Sequence, residues 1–492
     1  MAGMFSSALH GSRRRPLAAC VAAVFGLSSQ AAMAILPSTV FVDTCDEGVS
    51  NTDSTHGSLR WASTHVADGG TIDMTAIPCS LISLQTGSVT LGQNDLKILG
   101  PGMTSLTVSA RRTANGNKYY MKDRIFKHTG TGTLAIYNLT VNKGYYKSAA
   151  GFPKGGCIYS SGSVKLDHVG TYSCSVLTDS GSSRGGGVSA QGNVTLSYST
   201  VSANSANSGA TGSSGGGGVY ALGTLSSVGS TIKYNQATGA ANTYHGSGGG
   251  MYVRGSAIVV TSTISSNTAT FRSGGALFSS ATPAAQVTVI DSTISGNSSS
   301  TYVGGLYSNA AKTYLWSSTV AFNTAAKGKN GPGTKYYAPG FATSSTFGSM
   351  YISLISSLLS NNTYGTTEKD LTTVDGFIGT NTTTFNTAAP NVVRQPKLGG
   401  LGGLPAGTIQ GLCPLLGQLR DNGGPTQTHA LLSHSIAIDA GTNPFSIDNY
   451  DQRGPPYLRP DSVSGISDIG AYEVQQGDIV FNAEFEGCPA LF

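Results

Sequence analysis

Charge is scarce in this chain, so the place where it gathers is the first candidate for chemistry. Only 11% of the 492 residues are charged, yet Asp439, Asp448, Asp451, Asp461, Asp468 and Glu473 share one C-terminal stretch with Arg453 and Arg459. Clustered carboxylates can hold calcium through their oxygens. They can also act as the acid and second carboxylate of a glycosidase. The competing reading is structural. IAIDAG (436–441) and DIGAYE (468–473) set single acids inside apolar runs, which favours partnered, partly buried carboxylates. Asp–Arg pairing that caps the last coil of the fold is preferred. Calcium is held open, and no catalytic residue, metal ligand or cofactor is assigned.

The middle of the chain offers less. From 185 to 325 there is one Asp, Asp291, and no Glu. That stretch supplies neither a carboxylate pair nor a charged oxygen cage. His245, in TYHGSGGG, has no visible partner to orient it and reads as a solvated loop histidine. Arg184, Arg254 and Arg272 lie near glycine phrases. They could face acidic glycans, but scattered solvated charge is preferred. No CxxC or HExxH spacing suggests zinc.

Aromatic residues are better ordered. Tyr159, Tyr220, Tyr252, Phe278 and Tyr307 each follow a glycine pair. If Val219, Met251 and Leu306 point inward, strand alternation sends the tyrosines outward. GGALF (274–278) carries one residue more than GGLY (304–307), so Phe278 is expected to need a bulge. A stacked aromatic strip can bind sugar rings. A strip covered by loops, or stacked for stability, is the preferred alternative. Tyr220, Tyr252, Phe278 and Tyr307 are the candidate glycan-binding residues.

These residues must be positioned by a repeat. STVSAN, STIKYN, STISSN, STISGN and STVAFN begin at 199, 230, 262, 292 and 318. A second phrase alternates with them: GGCIY at 155, GGGVS at 185, GGGVY at 216, GGGMY at 248, GGALF at 274 and GGLY at 304. Two interleaved phrases at one period are a strong repeat signal. The stretches between turns are short and β-branched, as in VTVI (287–290). Several short strands per unit predict a parallel β-helix with one coil per unit. Over 70–400 this gives roughly eleven coils stacked about 4.8 Å apart. Ile264 and Ile294 then fill the coil, while flanking Ser and Thr point outward or bond along the axis. Asn204, Asn235, Asn267, Asn297 and Asn323 close each phrase. They are expected to take the left-handed backbone of a turn and to form an inward amide ladder.

The N-terminus reads as an export signal. Arg13–Arg15 precede an apolar run, LAACVAAVFGL (17–27), and Ala32-Met33-Ala34 suits cleavage. Losing residues 1–34 removes three of the 29 basic residues and none of the 24 acidic ones. The near-neutral remainder gives no support to nucleic-acid binding. In an oxidising compartment Cys45 with Cys79, Cys157 with Cys174 and Cys413 with Cys488 are neighbours able to pair, among 15 connectivities. No later segment is long and apolar enough for a membrane-spanning helix.

Several stretches resemble known families. The coil phrases resemble the right-handed β-helix of the pectin-lyase-like superfamily. GGALF and AFNTA (321–325) are similar to repeats of polymorphic outer-membrane proteins. GSLRWASTHVADGGTIDM (57–74) and LKILGPGMTSLTVSA (96–110) resemble a CSLREA-type N-terminus, with Gly57 in place of Cys and Trp61 in place of Glu. There Leu59, Trp61, Ala62 and Val66 suit a short amphipathic helix over the first coil. GGPTQTHALLSHSIAIDAG (423–441), DQRG (451–454), RP (459–460) and DIGAYE (468–473) resemble the choice-of-anchor Q domain. The first resemblance implies comparison with pectinolytic enzymes. Polygalacturonases carry NTD, DD, GHG and RIK strings, and of these DD, GHG and RIK do not occur here. Pectate lyases gather carboxylates around calcium and use an arginine as base.

The expected fold is all-β: a single-stranded, right-handed parallel β-helix with a short N-terminal capping helix. The expected divisions are a signal at 1–34, a cap and first coils at 35–110, repeats at 111–410, a choice-of-anchor Q-like domain at 411–474 and a tail at 475–492. The expected function is non-catalytic adhesion or glycan contact by an exported monomer, outside the cell or on the outer-membrane surface. The partner would be extracellular polysaccharide or a cell-surface glycan. The alternative is a polysaccharide lyase or glycoside hydrolase with an atypical site.

Overall fold

The structure is a computed structural model. It describes residues 36–47, 55–114, 117–120, 122–209, 212–239, 246–270, 274–279, 284–326, 338–344, 349–374, 383–398, 403–443, 449–461, 464–476 and 478. The expected signal at 1–34 and nearly all of the tail lie outside the described residues.

The chain winds into a right-handed parallel β-helix. An eleven-stranded parallel sheet runs from Val89–Leu91 to Pro396–Leu398, one strand per coil. The strands of the asparagine-ended phrase form another column, with Thr231–Lys233, Thr263–Ser265, Thr293–Ser295 and Thr319–Ala321 in unbroken parallel register. Register puts like on like, so Ile232, Ile264, Ile294 and Val320 stack with no exposed surface. Burying each of these β-branched side chains contributes about 1.5–3 kcal/mol. The helix Leu59–His65 starts on the Ser58 cap and buries Leu59 and Ala62, with Val66 buried at its end. Cys45–Cys79 and Cys157–Cys174 are disulfides. Cys413 is also disulfide-bonded, and its expected partner Cys488 lies outside the described residues.

Two left-handed corners bracket the phrase. The residue before it is left-handed in every copy: Tyr198, Gly229, Thr261, Asp291 and Ser317. So is its fifth residue: Ala203, Tyr234, Ser266, Gly296 and Phe322. The turn-making backbone therefore sits one residue ahead of the asparagine, not on it as the sequence suggested. The asparagine is freed to bond. Asn204 Nδ2 donates to Asn235 Oδ1 at 2.9 Å, and the same contact repeats from Asn235 to Asn267, Asn297, Asn323 and Asn362. The phrase's first serine forms a second chain. Ser199 N donates to Ser230 Oγ, and the pattern continues through Ser262, Ser292 and Ser318. The glycine phrase forms the third corner, with Gly155, Gly185, Gly216, Gly248 and Gly274 left-handed. A Cβ on Gly216 would stand 2.0 Å from the Val219 carbonyl oxygen, which no side chain could tolerate.

The C-terminal segment lies along the flank of several coils, and its apolar cluster also takes in Val392 and Ile409 of the last strands, so it does more than cap the last coil. Thr426 Oγ1 donates to Thr261 O, and Gln452 meets both Thr263 and Thr293. Ala471 N donates to Thr319 Oγ1, and Gly470 N donates to Ser356 O. His429 Nε2 lies 2.7 Å from Ser295 Oγ, with Nδ1 on Gly417 O. Leu416, Ala430, Leu431, Ile469 and Tyr472 pack on Ala321 and Leu358. Thr263, Thr293 and Thr319 are buried by this segment, whereas Thr200 and Thr231 in earlier coils stay half-buried.

Two measurements test this account. Asn297→Ala strands the Asn267 amide donors that now reach Asn297 Oδ1. At about 1–3 kcal/mol per orphaned buried group, denaturant unfolding should show a loss of roughly 2–4 kcal/mol. A loss no larger than that of Ile294→Val, about 1 kcal/mol, would refute a structural amide chain. The second concerns pH. Burial pulls His429 down from 6.5 to about 4. The folded state then binds fewer protons than the unfolded chain between those values. The histidine's contribution is therefore lost as pH falls through that window, by up to roughly 3 kcal/mol. Between pH 7 and 4.5 the wild type should lose more melting temperature than His429→Gln. Equal losses would rule the histidine out.

Candidate functional site

The left-handed glycines aim the strands that follow them. Val188, Val219, Met251, Leu277 and Leu306 are fully buried in the eleven-stranded sheet. The residues one place on share a register row: Tyr159, Ser189, Tyr220, Tyr252, Phe278 and Tyr307. No register shift interrupts the row, so Phe278 needs no bulge. GGALF matches GGGMY residue for residue, with Ala276 in place of the third glycine. The row is not uniformly open. Tyr220 is 4% exposed. Its ring stacks on Tyr252 at 5.4 Å, and the Arg184 guanidinium lies 4.9 Å from Tyr220 and 5.8 Å from Tyr252. Burial pushes the Tyr220 phenol above its ordinary pKa, with Arg184 opposing. Tyr159, Tyr252 and Tyr307 are half-buried. Tyr307 packs on a small cluster of Val303, Ala338 and Ala342. The Phe278 side chain, His245, Arg272 and Asp448 lie outside the described residues. Arg254 is exposed.

A cleft of about 250 Å³ opens at the N-terminal end of the row, lined by Arg124, Tyr146, Ser148, Phe152, Pro153, Lys154 and Tyr159. Sequence reading singled out only Tyr159 among these. The strand Tyr145–Gly151 supplies Tyr146 and Ser148. Gly151 is left-handed, and Pro153 has a fixed φ, so the chain turns back before Lys154 pairs with Arg184. Arg124 reaches under this turn. Its Nη2 donates to Lys154 O and its Nε to Gly155 O, while its guanidinium lies 3.6 Å from the Tyr146 ring centre and 5.4 Å from that of Tyr159. Burial lowers the Arg124 pKa, although Tyr146 and Asp123 attract its charge. Phe152 is 67% exposed. The signal present in sequence was the aromatic-rich GYYKSAAGFPKGG (144–156), read only for its glycines.

The acidic cluster is held together by its own donors. Arg459 Nη1 meets Asp291 at 2.7 Å and its Nε meets Glu473 at 3.1 Å. Asp451 accepts from Arg453 Nη2 and from the Glu473 amide, and Asp468 accepts from the Asp439 and Val474 amides. Arg453 is sandwiched between the Tyr457 and Tyr472 rings at 3.8 and 3.9 Å. Burial pushes Asp468 up to about 6 and Glu473 up to about 7, with Arg459 opposing. Arginine and backbone N–H groups thus occupy oxygens that a calcium ion would need. Among the described residues no three His, Cys, Asp or Glu side chains gather as a metal site.

Elsewhere His168 lies 2.7 Å from Asp167, its ring stacked on Tyr198 at 5.3 Å. It stands at a left-handed corner of a weaker repeat copy, which sequence reading passed over. No Asp or Glu lines the cleft. An NTD string does occur at 51–53, outside the described residues.

No protein-family model matches the chain, and no curated protein sequence matches it. Among solved structures, the crystal structure of pectate lyase Pel9A is similar over 89% of this chain and 97% of that one, with a TM-score of 0.41 and 12% identity.

Proposed function

We propose that this chain is an exported surface or extracellular protein that contacts glycans without transforming them. The observation that carries this reading is the cleft. It joins an exposed ring, Phe152, to two further rings, Tyr146 and Tyr159, and to two cations, with no carboxylate among its lining residues. Aromatic faces bury the apolar side of a sugar ring, and cations meet its oxygens. The half-buried Tyr252 and Tyr307 extend the same face along later coils, while Tyr220 is closed and serves the stack. Disulfides suit an oxidising compartment. No helix among the described residues is long and apolar enough to cross a membrane. In this reading residues 1–34 direct export, residues 411–474 form a choice-of-anchor Q-like domain on the flank, and the protein acts as a monomer.

The test is binding and turnover on the same mature protein. Phe152→Ala and Tyr252→Ala should each weaken capture on a glycan array. Losing one ring contact of about 1–2 kcal/mol corresponds to roughly five- to thirty-fold. Unchanged capture in both variants, or no glycan captured by the wild type, would reject the reading. Incubation with pectic and other acidic polysaccharides should release neither unsaturated products nor reducing ends. Release of either would favour the lyase or hydrolase alternative.

A further inference from the structure

Four arginines are buried among the described residues: Arg124, Arg394, Arg453 and Arg459. Three have carboxylate partners. Arg394 pairs with Glu368, Arg453 with Asp451, and Arg459 with Asp291 and Glu473. Arg124 differs. Among the described residues no carboxylate forms an ion pair with its guanidinium. The neighbouring Asp123 spends its oxygens on the Ser88 and Arg124 amides. Arg124 instead rests on two carbonyl oxygens and two tyrosine rings. Asp123 attracts this charge without touching the guanidinium, and a buried charge with no carboxylate in contact is expensive. The second cation of the cleft, the half-buried Lys154, also has no described carboxylate in contact, and its Nζ lies on the Gln191 amide oxygen at 2.9 Å. Both cations line the open space beside Ser148, Tyr146 and Phe152.

We infer that this cleft is an oxyanion site, in which Arg124 and Lys154 hold a carboxylate or sulfate ester carried on a sugar ring that lies against Phe152 and Tyr146. Three features support this. The Arg124 guanidinium and the Lys154 ammonium carry donors and no acceptor, while the Ser148 hydroxyl donates to Ala150 O at 2.7 Å, so the two cations set the preference for an anion. The volume suits one ring and its substituent, not a folded partner. The rings that flank Arg124 also exclude water, which strengthens its pull on an anion. The choice of a sugar as carrier rests on the glycan reading above, whereas the charge argument does not.

Calorimetric titration of the mature protein with inorganic sulfate, glucuronate, a 6-sulfated glucosamine and neutral glucose tests the site. The charged ligands should bind at least tenfold tighter than glucose, and the better of the two charged sugars identifies the source of the oxyanion. Lys154→Gln, whose backbone bonds are untouched, should weaken charged ligands at least fivefold with unchanged melting. Arg124→Gln should do the same or more. Phe152→Ala should weaken the charged sugars but spare inorganic sulfate. Wild-type affinity for charged ligands in Lys154→Gln, or no oxyanion binding by the wild type, would overturn the inference. Oxyanion binding that survives while every polysaccharide fails to bind would sink the glycan reading and leave the anion site standing.

Discussion

Parallel stacking imposes one constraint on which the rest depends: whatever polar group a coil buries, the next coil must satisfy. The asparagine chain is the answer. Each amide accepts from the coil before and donates to the coil after, so no interior copy has a free end. The chain must still stop somewhere. At its C-terminal end Asn362 donates from both N and Nδ2 to Asp370, whose other oxygen accepts from Gln395 N. A carboxyl whose oxygens accept from both sides ends the series without leaving the Asn362 donors orphaned, although burial and Glu368 push it up to about 8. At the other end Asn204 Oδ1 accepts from the Cys174 amide. Cys174 follows the left-handed Ser173, as Asn204 follows Ala203.

The same constraint explains why two phrases alternate. A Cβ on Gly187, Gly218 or Gly250 would come within about 3 Å of the Asn204, Asn235 or Asn267 amide carbon. The third glycine of one phrase therefore makes room for the asparagine of the other, across the interior of the coil. Where the ladder has ended, that pair of positions is taken by Cys157 and Cys174, which are bonded. A disulfide thus fills the space that elsewhere holds glycine and amide. The repeat is a single device written in two places.

Near-identical coils create an addressing problem for anything that docks on them. The C-terminal segment could slide by one coil and meet the same threonines and serines. Asp291 removes that degeneracy. It occupies a left-handed corner that takes Tyr198, Thr261 or Ser317 in other coils, so the fold does not require an acid there. It is the one acid between 185 and 325, and it meets Arg459. Burying both charges costs desolvation, so the pair adds little net stability. A segment shifted by one coil would carry Glu473 along but lose Asp291, leaving the buried Arg459 with one of its two carboxylates gone, which is costly in a buried site. The ion pair therefore fixes position more than it stabilises.

These distinctions mark what the sequence could and could not reveal. Periodicity exposed the coil, the stacked Ile264 and Ile294, and the alternation of the glycine and asparagine phrases, because each follows from neighbours in one strand or one register column. It misassigned the corner, since Ser266 and Asn267 both suit a turn and only the ladder decides between them. It could not see lateral contacts such as Arg459 with Asp291, which join residues 168 positions apart. Nor could it tell outward from open. Alternation put Tyr220 on the outer side of its strand, yet Arg184 closes over it. The same physics locates recognition elsewhere. A row sealed by its own arginine has spent its cation on its own rings. At the N-terminal end Arg124 is sandwiched in the same way, but there Phe152 is exposed and Lys154 is only half-buried. Along this row a cation without a carboxylate contact and an exposed ring coincide where the row begins, which is why the cleft rather than the strip is the better place to look for a ligand.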